Sequence, residues 1–362
     1  MRDTKVILIL LATLVFLAVG MVLRLLEAIL LPLVIAVFLS QVFTPLMTTL
    51  RRRRVPAAVS ILLVLLSVSA VLLVFSWVVY SSVESFTAAL PRYQARLSNL
   101  LATLTGNLAA SFPGLESQVA HWKWQEALGL STVTGFLAAG IGSFLLFFND
   151  MFLVLLFLVF LLLGTESFPH KLRRAFAPDV ADRLGAVVQN VEAQVRKYLV
   201  TKTLVNLGNG ILVAILMASF GVDFPLFWGF LTFLAHYIPN VGSVLSVGLP
   251  TIFLFLQFDS PAKALLVSVL NLALQVAIGN AIEPRVMGSS LDLSPLLVLL
   301  SLIFWGWLWG AWGMVLAVPM TSTIKILCEN VESLRPLAVL MSASDAPDAS
   351  DVPGKRASPA VR

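Results

Sequence analysis

Long apolar runs separated by short charged stretches set the pattern of this chain. Uncharged residues fill Val6–Leu23, Ala28–Leu50, Val55–Val83, Ala127–Asn149, Met151–Thr165, Thr203–Val222, Phe224–Ala235, Tyr237–Phe258, Ala264–Ile282 and Leu293–Ile324. A helix needs about 20 apolar residues to cross a bilayer core of about 30 Å. Most of these runs reach or approach that length, so the pattern predicts an all-α, polytopic membrane protein. Strands of a β-barrel alternate polar and apolar residues and do not give such runs. The first run follows Arg2 and Lys5 without a small-x-small cleavage site and is read as a retained span.

Two polar stretches carry a helical period. Phe86, Leu90, Tyr93, Leu97, Leu101, Leu104 and Leu108 recur at steps of four and three, which draws an apolar stripe on one face of a helix. Ser111-Phe112-Pro113-Gly114 ends that pattern. The stripe suits a helix packed on its own protein or lying on the membrane, or one packed against a neighbouring subunit. Val180, Leu184, Val187, Val191, Val195 and Tyr198 form a second stripe, with a helix start at Pro178-Asp179. No Gly-rich linker divides residues 1–340, which read as a single transmembrane domain. Residues 341–362, rich in Ala, Ser, Asp and Pro, read as a disordered tail.

Composition sharpens the class. Hydrophobic residues make up 59% of the 362 and charged ones only 12%, against about a quarter charged in soluble domains. The balance of 24 Lys+Arg against 19 Asp+Glu serves topology, because the basic residues flank apolar runs. Arg51, Arg52, Arg53 and Arg54 form one cluster; Lys171, Arg173, Arg174, Arg183, Arg196, Lys197 and Lys202 form another. With both clusters inside, both termini are cytoplasmic, residues 81–131 form an extracytoplasmic helical segment and residues 164–202 a cytoplasmic one. Residues 223–292 then return an even number of times, as full crossings or re-entrant hairpins, before a final inward helix.

Irregular backbone in a membrane survives only where protein or water shelters it. His236-Tyr237-Ile238-Pro239-Asn240-Val241-Gly242 breaks an apolar region into halves too short to cross alone. Broken helices of this kind hold substrate in many secondary transporters, and His236, Pro239, Asn240 and Gly242 are candidates on that ground. A short interfacial loop is the plainer reading. A second expected break, Gly279 to Gly288, carries Glu283 and Arg285 two residues apart beside Pro284. Either charge inside a membrane requires a partner or water, so the pair is a candidate ion or proton site, or else a charged turn locking a hairpin. Asn206 and Asn209 share a helix face with Lys202, and Asn271 shares one with Gln275. Asp150 interrupts apolar sequence. Such residues glue helices together or line a pathway. Asp223 and Asp259 stand at run ends and read as interfacial. The last run, at about 48 Å as a straight helix, is too long for one crossing. It is expected to break or to overrun the bilayer, with Trp305, Trp307, Trp309 and Trp312 at the outer interface. Gly306, Gly310 and Gly313 in it allow close helix or subunit packing.

Several chemistries are missing. There is no G-x-x-x-x-G-K-[ST] loop, no H-E-x-x-H, no G-x-S-x-G and no T-V-G-Y-G filter, and Cys328 is the only cysteine. No enzyme, cofactor, metal site or nucleic-acid partner is expected.

The motifs Tyr237-Ile238-Pro239-Asn240-Val241-Gly242 to Pro250, Glu283-Pro284-Arg285-Val286-Met287-Gly288, Leu293-Ser294-Pro295-Leu296, Phe304 to Met314 and Leu316-Ala317-Val318-Pro319-Met320 resemble those of the autoinducer-2 exporter, or PerM-like, family. The resemblance implies a bacterial inner-membrane protein with about eight membrane segments, broken or re-entrant helices among them, that exports small molecules. Some members are similar to autoinducer-2 exporters, and others to sodium- or lithium-for-proton antiporters. It also implies a homo-oligomer, a pentamer. The readings in contention are a secondary transporter with Glu283 as proton or cation carrier and Arg285 as its partner, a passive oligomeric pore, and a non-transporting scaffold.

Overall fold

The computed structural model describes residues 2–111, 151–164, 168–287 and 293–343. The expected site residue Asp150, the distal part of the outer segment and nearly all of the tail lie outside the described residues. The described residues form helices joined by short turns, with an isolated bridge between Leu293 and Ser342. The helices are α1 (Arg2–Leu25), α2 (Glu27–Arg52), α3 (Ala57–Ser111), α4 (Met151–Gly164), α5 (Phe168–Ala175), α6 (Pro178–Ser219), α7 (Pro225–Ala235), α8 (Val241–Gln257), α9 (Pro261–Ala277), α10 (Glu283–Met287), α11 (Pro295–Asn330) and α12 (Arg335–Met341). Proline opens several of them, where its missing N–H has no partner to lose. Before α9, the Ser260 hydroxyl accepts from the Lys263 amide at 3.3 Å; before α11, Ser294 accepts from Leu297 at 3.2 Å.

Five apolar stretches among the described residues are long enough to cross a membrane: Glu27–Arg52, Ala57–Ala89, Pro178–Ser219, Pro261–Met287 and Pro295–Asn330. Met151–Gly164, Pro225–Ala235 and Val241–Gln257 are shorter apolar helices. This is a multi-pass membrane protein, and its many exposed Leu, Ile, Val and Phe side chains are the lipid-facing surface such a fold requires.

Contacts divide the chain into two compact units. One comprises Met1–Arg24, Ser167–Tyr198 and Ser289–Arg362. In it, α11 is not a single helix. Trp309 leaves helical geometry and Gly310 takes φ 59°, ψ −141°, and the chain turns back on itself. The indole N–H of Trp305 donates to the Thr321 hydroxyl at 3.1 Å. A straight helix would separate those residues by about 24 Å. Gly306 lies so close to Met314 that a Cβ would sit 2.8 Å from its Cγ, and Gly313 packs on the Trp305 carbonyl. The expected break is therefore real, and it folds the run into a hairpin rather than one continuous helix. Gly306, Gly310 and Gly313 serve that hairpin's turn and its internal packing. Trp305 and Trp309 are buried, whereas Trp307 and Trp312 are exposed, with the Arg24 guanidinium 5.4 Å from the Trp307 ring.

The other unit comprises Leu25–Glu166 and Leu199–Gly288. Ala36 and Met47 of α2, Ile61, Val64 and Val68 of α3, and Met151, Val154, Leu158 and Leu162 of α4 form one apolar core. A second core joins Tyr93, Val213, Met217, Trp228, Phe253, Leu254, Ala264 and Val267. Helices α7 and α8 make an antiparallel hairpin. Its turn is Tyr237–Asn240, with Asn240 at φ 63°, and Gly242 lies against the Ala235 backbone with no room for a Cβ. Trp228 packs at a tilt against Phe253, centroids 5.2 Å apart, toward the hairpin's open end. Gln257 closes its foot by accepting from the Asp223 amide and donating to the Gly221 carbonyl, both at 2.9 Å. Eleven residues in α7 measure about 16 Å, too short to cross.

Candidate transport site

In the second unit, α6 runs antiparallel to both α7 and α9, and polar residues line the contacts. Gly210 meets Gly229, where a Cβ on Gly210 would come 2.6 Å from the Gly229 carbonyl oxygen. Two turns away along both helices, the Tyr237 hydroxyl donates to Thr203 at 2.8 Å. Toward α9, Asn209 Nδ2 donates to Gln275 Oε1 at 2.9 Å. Two turns away on both sides, the Lys202 ammonium donates to the Glu283 carboxylate.

That last pairing depends on a local irregularity. Asn271 and Gln275 lie one turn apart on one face of α9, and two turns further on a regular helix would bring residue 282 to that face. Residues Ile278–Ile282 instead form a π-turn, which inserts one residue and moves Glu283 onto that face. Pro284 explains the wide turn, because its ring would clash with the carbonyl four residues back in a regular helix. The expected break at Gly279–Gly288 is thus a widened turn within a helix that continues through Glu283–Met287. Arg285 is exposed on it, and the partner of Glu283 is Lys202, not Arg285. Two residues apart on a helix, Glu283 and Arg285 point to different faces.

Buried polar side chains continue from this row into the α7–α8 hairpin. Asn271 Nδ2 donates to the Ser246 carbonyl at 2.9 Å, and the Ser246 hydroxyl is 3.3 Å from His236 Nδ1. His236 Nδ1 also lies 3.0 Å from the Thr232 carbonyl. Lys202, Asn206, Asn209, Thr232, His236, Ser246, Asn271 and Gln275 are all buried. Their hydrogen-bonding capacity is far from filled. Both amide atoms of Asn206, Oδ1 of Asn209, Oδ1 of Asn271, Nε2 of Gln275 and the Thr232 hydroxyl have no hydrogen-bond partner among the described residues. Each such group left unmade costs about 1–3 kcal/mol. The expected residues Asn206, Asn209, His236, Asn271, Gln275 and Glu283 therefore come together. Pro239, Asn240 and Gly242 build the hairpin's turn, with Asn240 exposed. No pattern in the sequence singles out Thr232, Ser246 or the role of Lys202. Lys202 was readable as one turn from Asn206 on the same face.

Beyond the membrane-length part of α3, Ala57–Ala89, charges hold the hairpin's feet. Arg92 and the Tyr93 hydroxyl both donate to Asp223, which precedes α7, and Arg96 donates to Asp259 and to the Phe258 carbonyl, just after α8. Phe86 and Tyr93 pack on Phe224, Phe253 and each other. Burial, reinforced by the hydrogen bond to Asp223, pushes the Tyr93 hydroxyl up to about 12. The Arg92 guanidinium is also raised, first by its hydrogen bond with Tyr93. The α3 stripe packs, through these residues, on its own chain.

Residues 8–333 match the AI-2E family transporter model. The chain belongs to the AI-2E transporter family. It is 35% identical to the AI-2 transport protein TqsA of Escherichia coli (strain K12) over 93% of this chain and 95% of that one. It is 33% identical to YhhT of the same organism, provisionally named a transport protein, over 85% of this chain and 86% of that one. A provisionally named transport protein of Borreliella burgdorferi is 32% identical, over 88% and 86%. This is a family of bacterial membrane transporters, not of enzymes.

Proposed function

We propose that this chain is a secondary transporter of the bacterial inner membrane that moves a small polar solute or an ion past the α6–α9 polar row, with Glu283 taking up the coupling proton or cation. The observation that carries the reading is the group of buried carboxamides with unpaired atoms, Asn206 at both ends and Asn209, Asn271 and Gln275 at one, beside the Lys202–Glu283 pair. Purely structural helix contacts satisfy their polar atoms, and polar groups inside apolar helices mark pathways. The name of TqsA makes AI-2 one solute to try; sodium, lithium and proton exchange are the others. The bilayer is the first partner, and assembly of several copies belongs to the same reading.

The basic clusters support a topology with both termini in the cytoplasm. Helices α1, α2, α3, α4, α6 and the α9–α10 helix each cross. The α7–α8 hairpin returns to the outer side and the α11 hairpin to the inner side. That parity leaves the C-terminus inside without a final crossing helix.

The test is flux in proteoliposomes across a panel of sodium, lithium, protons and AI-2, with an internal pH probe. At least one solute is expected to move with an imposed gradient, and Glu283→Gln is expected to cut that coupled flux tenfold or more. Unchanged coupled flux in Glu283→Gln removes the assigned role of Glu283. Conductance without coupling makes the protein a pore, and movement of no solute favours a scaffold.

A further inference from the structure

The Lys202–Glu283 pair is lopsided. The lysine side chain is 5% exposed, the glutamate side chain 23%. The ammonium thus approaches from the closed side of the contact, and the carboxylate is reachable from the open side. Truncating one member of a buried pair leaves the other charge uncompensated, so each holds the other in place.

A second place for the ammonium lies on the same helix. Asn206 is one turn beyond Lys202, on the same face, fully buried, with its Oδ1 unpaired. Asn209 Oδ1, a further turn on, is also unpaired. A lysine carries three donors on a flexible four-carbon stem and can swing between acceptors a turn apart. The carboxylate and these carboxamide oxygens are hard oxygen donors, the kind that alkali and alkaline-earth cations accept. The single carboxylate balances one positive charge.

We infer that Lys202 is the resident counter-ion of the site: its ammonium holds the position at Glu283 that a monovalent metal cation takes, and the cation enters by displacing the ammonium toward Asn206. The exchange keeps one positive charge beside Glu283 throughout, while the displaced ammonium is held by neutral carboxamide oxygens alone, so the wild type binds the cation weakly. The exchange also supplies a reason for two empty carboxamide oxygens in line beyond a buried lysine. This inference rests on the transport reading given above, and names the residue that decides cation affinity at that site.

Binding of radioactive sodium to the purified full-length protein in detergent at alkaline pH tests it, since displacement predicts a gain. Lys202→Gln removes the competitor and is expected to bind sodium at least about tenfold more tightly than the wild type. Lys202→Arg keeps the charge and is expected to bind as weakly as the wild type. Lys202→Gln/Glu283→Gln is expected to lose the gain. In proteoliposomes, Lys202→Gln is expected to saturate at lower sodium and to turn over more slowly, so that KM and kcat fall together. Lys202→Met, which preserves the aliphatic stem, replaces Lys202→Gln if that variant does not fold. Sodium affinity that stays at the wild-type level in the neutral variants overturns the inference, as does a gain that survives in the double variant. Wild-type protein that moves no solute of the panel overturns the transport reading instead, and the two failures are read from separate assays.

Discussion

Asn206 is the residue on which the argument turns at the smallest scale. Neither end of its amide finds a partner among the described residues, although the side chain is wholly buried. A residue kept for stability would not look like this, because an unmade buried hydrogen bond costs about 1–3 kcal/mol. Asn206→Leu, similar in volume, is therefore expected to raise the thermal midpoint of the purified protein and to lower flux tenfold or more. A lower midpoint with full flux would assign Asn206 to the scaffold. Tyr93 gives a pH signature at the same scale. Its folded-state value of about 12 lies above the ordinary tyrosine value of about 10. Its stabilisation is then complete below about pH 10 and is lost as pH rises through about 12. The difference in thermal midpoint between wild type and Tyr93→Phe is expected to shrink across that window. A difference independent of pH there contradicts the Tyr93–Asp223 account.

At the scale of elements, two hairpins and one widened turn do the positioning. Gly310 sits in a region of φ and ψ open only to glycine, so Gly310→Ala is expected to cost about 1–3 kcal/mol, read as a lower thermal midpoint. Gly229→Ala would put a methyl group against the Gly210 carbonyl and within 2.7 Å of Ala214 Cβ. Overpacking of that kind costs about 1–3 kcal/mol. It is expected to separate α6 from α7 and reduce flux as well as stability. Much of this architecture was legible beforehand. The apolar runs, the start at Pro178 and the break at residues 236–242 all follow from hydropathy and from proline and glycine chemistry. The α11 turn was legible only as excess length. Neither a charge nor a proline marks Trp309-Gly310, and a lone glycine does not distinguish a kink from a reversal. Glu283 was legible as a site residue, but its partner was not. Regular helical spacing puts residue 282 on the face of Gln275, and only the π-turn brings 283 there. The clasp of Arg92 and Arg96 on Asp223 and Asp259 joins residues too distant in sequence for any local pattern to reveal.

At the scale of the whole molecule, the fold assembles polar groups inside apolar helices that have no stability reason to carry them. Family membership says that such proteins transport, and the polar row is the place proposed for the solute. The most direct measurement is gradient-driven flux in proteoliposomes by Lys202→Gln/Glu283→Gln beside the wild type. Removing both charges leaves no unpaired ion in the buried contact, so the fold is expected to survive, with a thermal midpoint near that of the wild type. The account predicts a folded protein whose gradient-coupled flux has fallen tenfold or more. A folded double variant that couples transport to the gradient as well as the wild type does would contradict it.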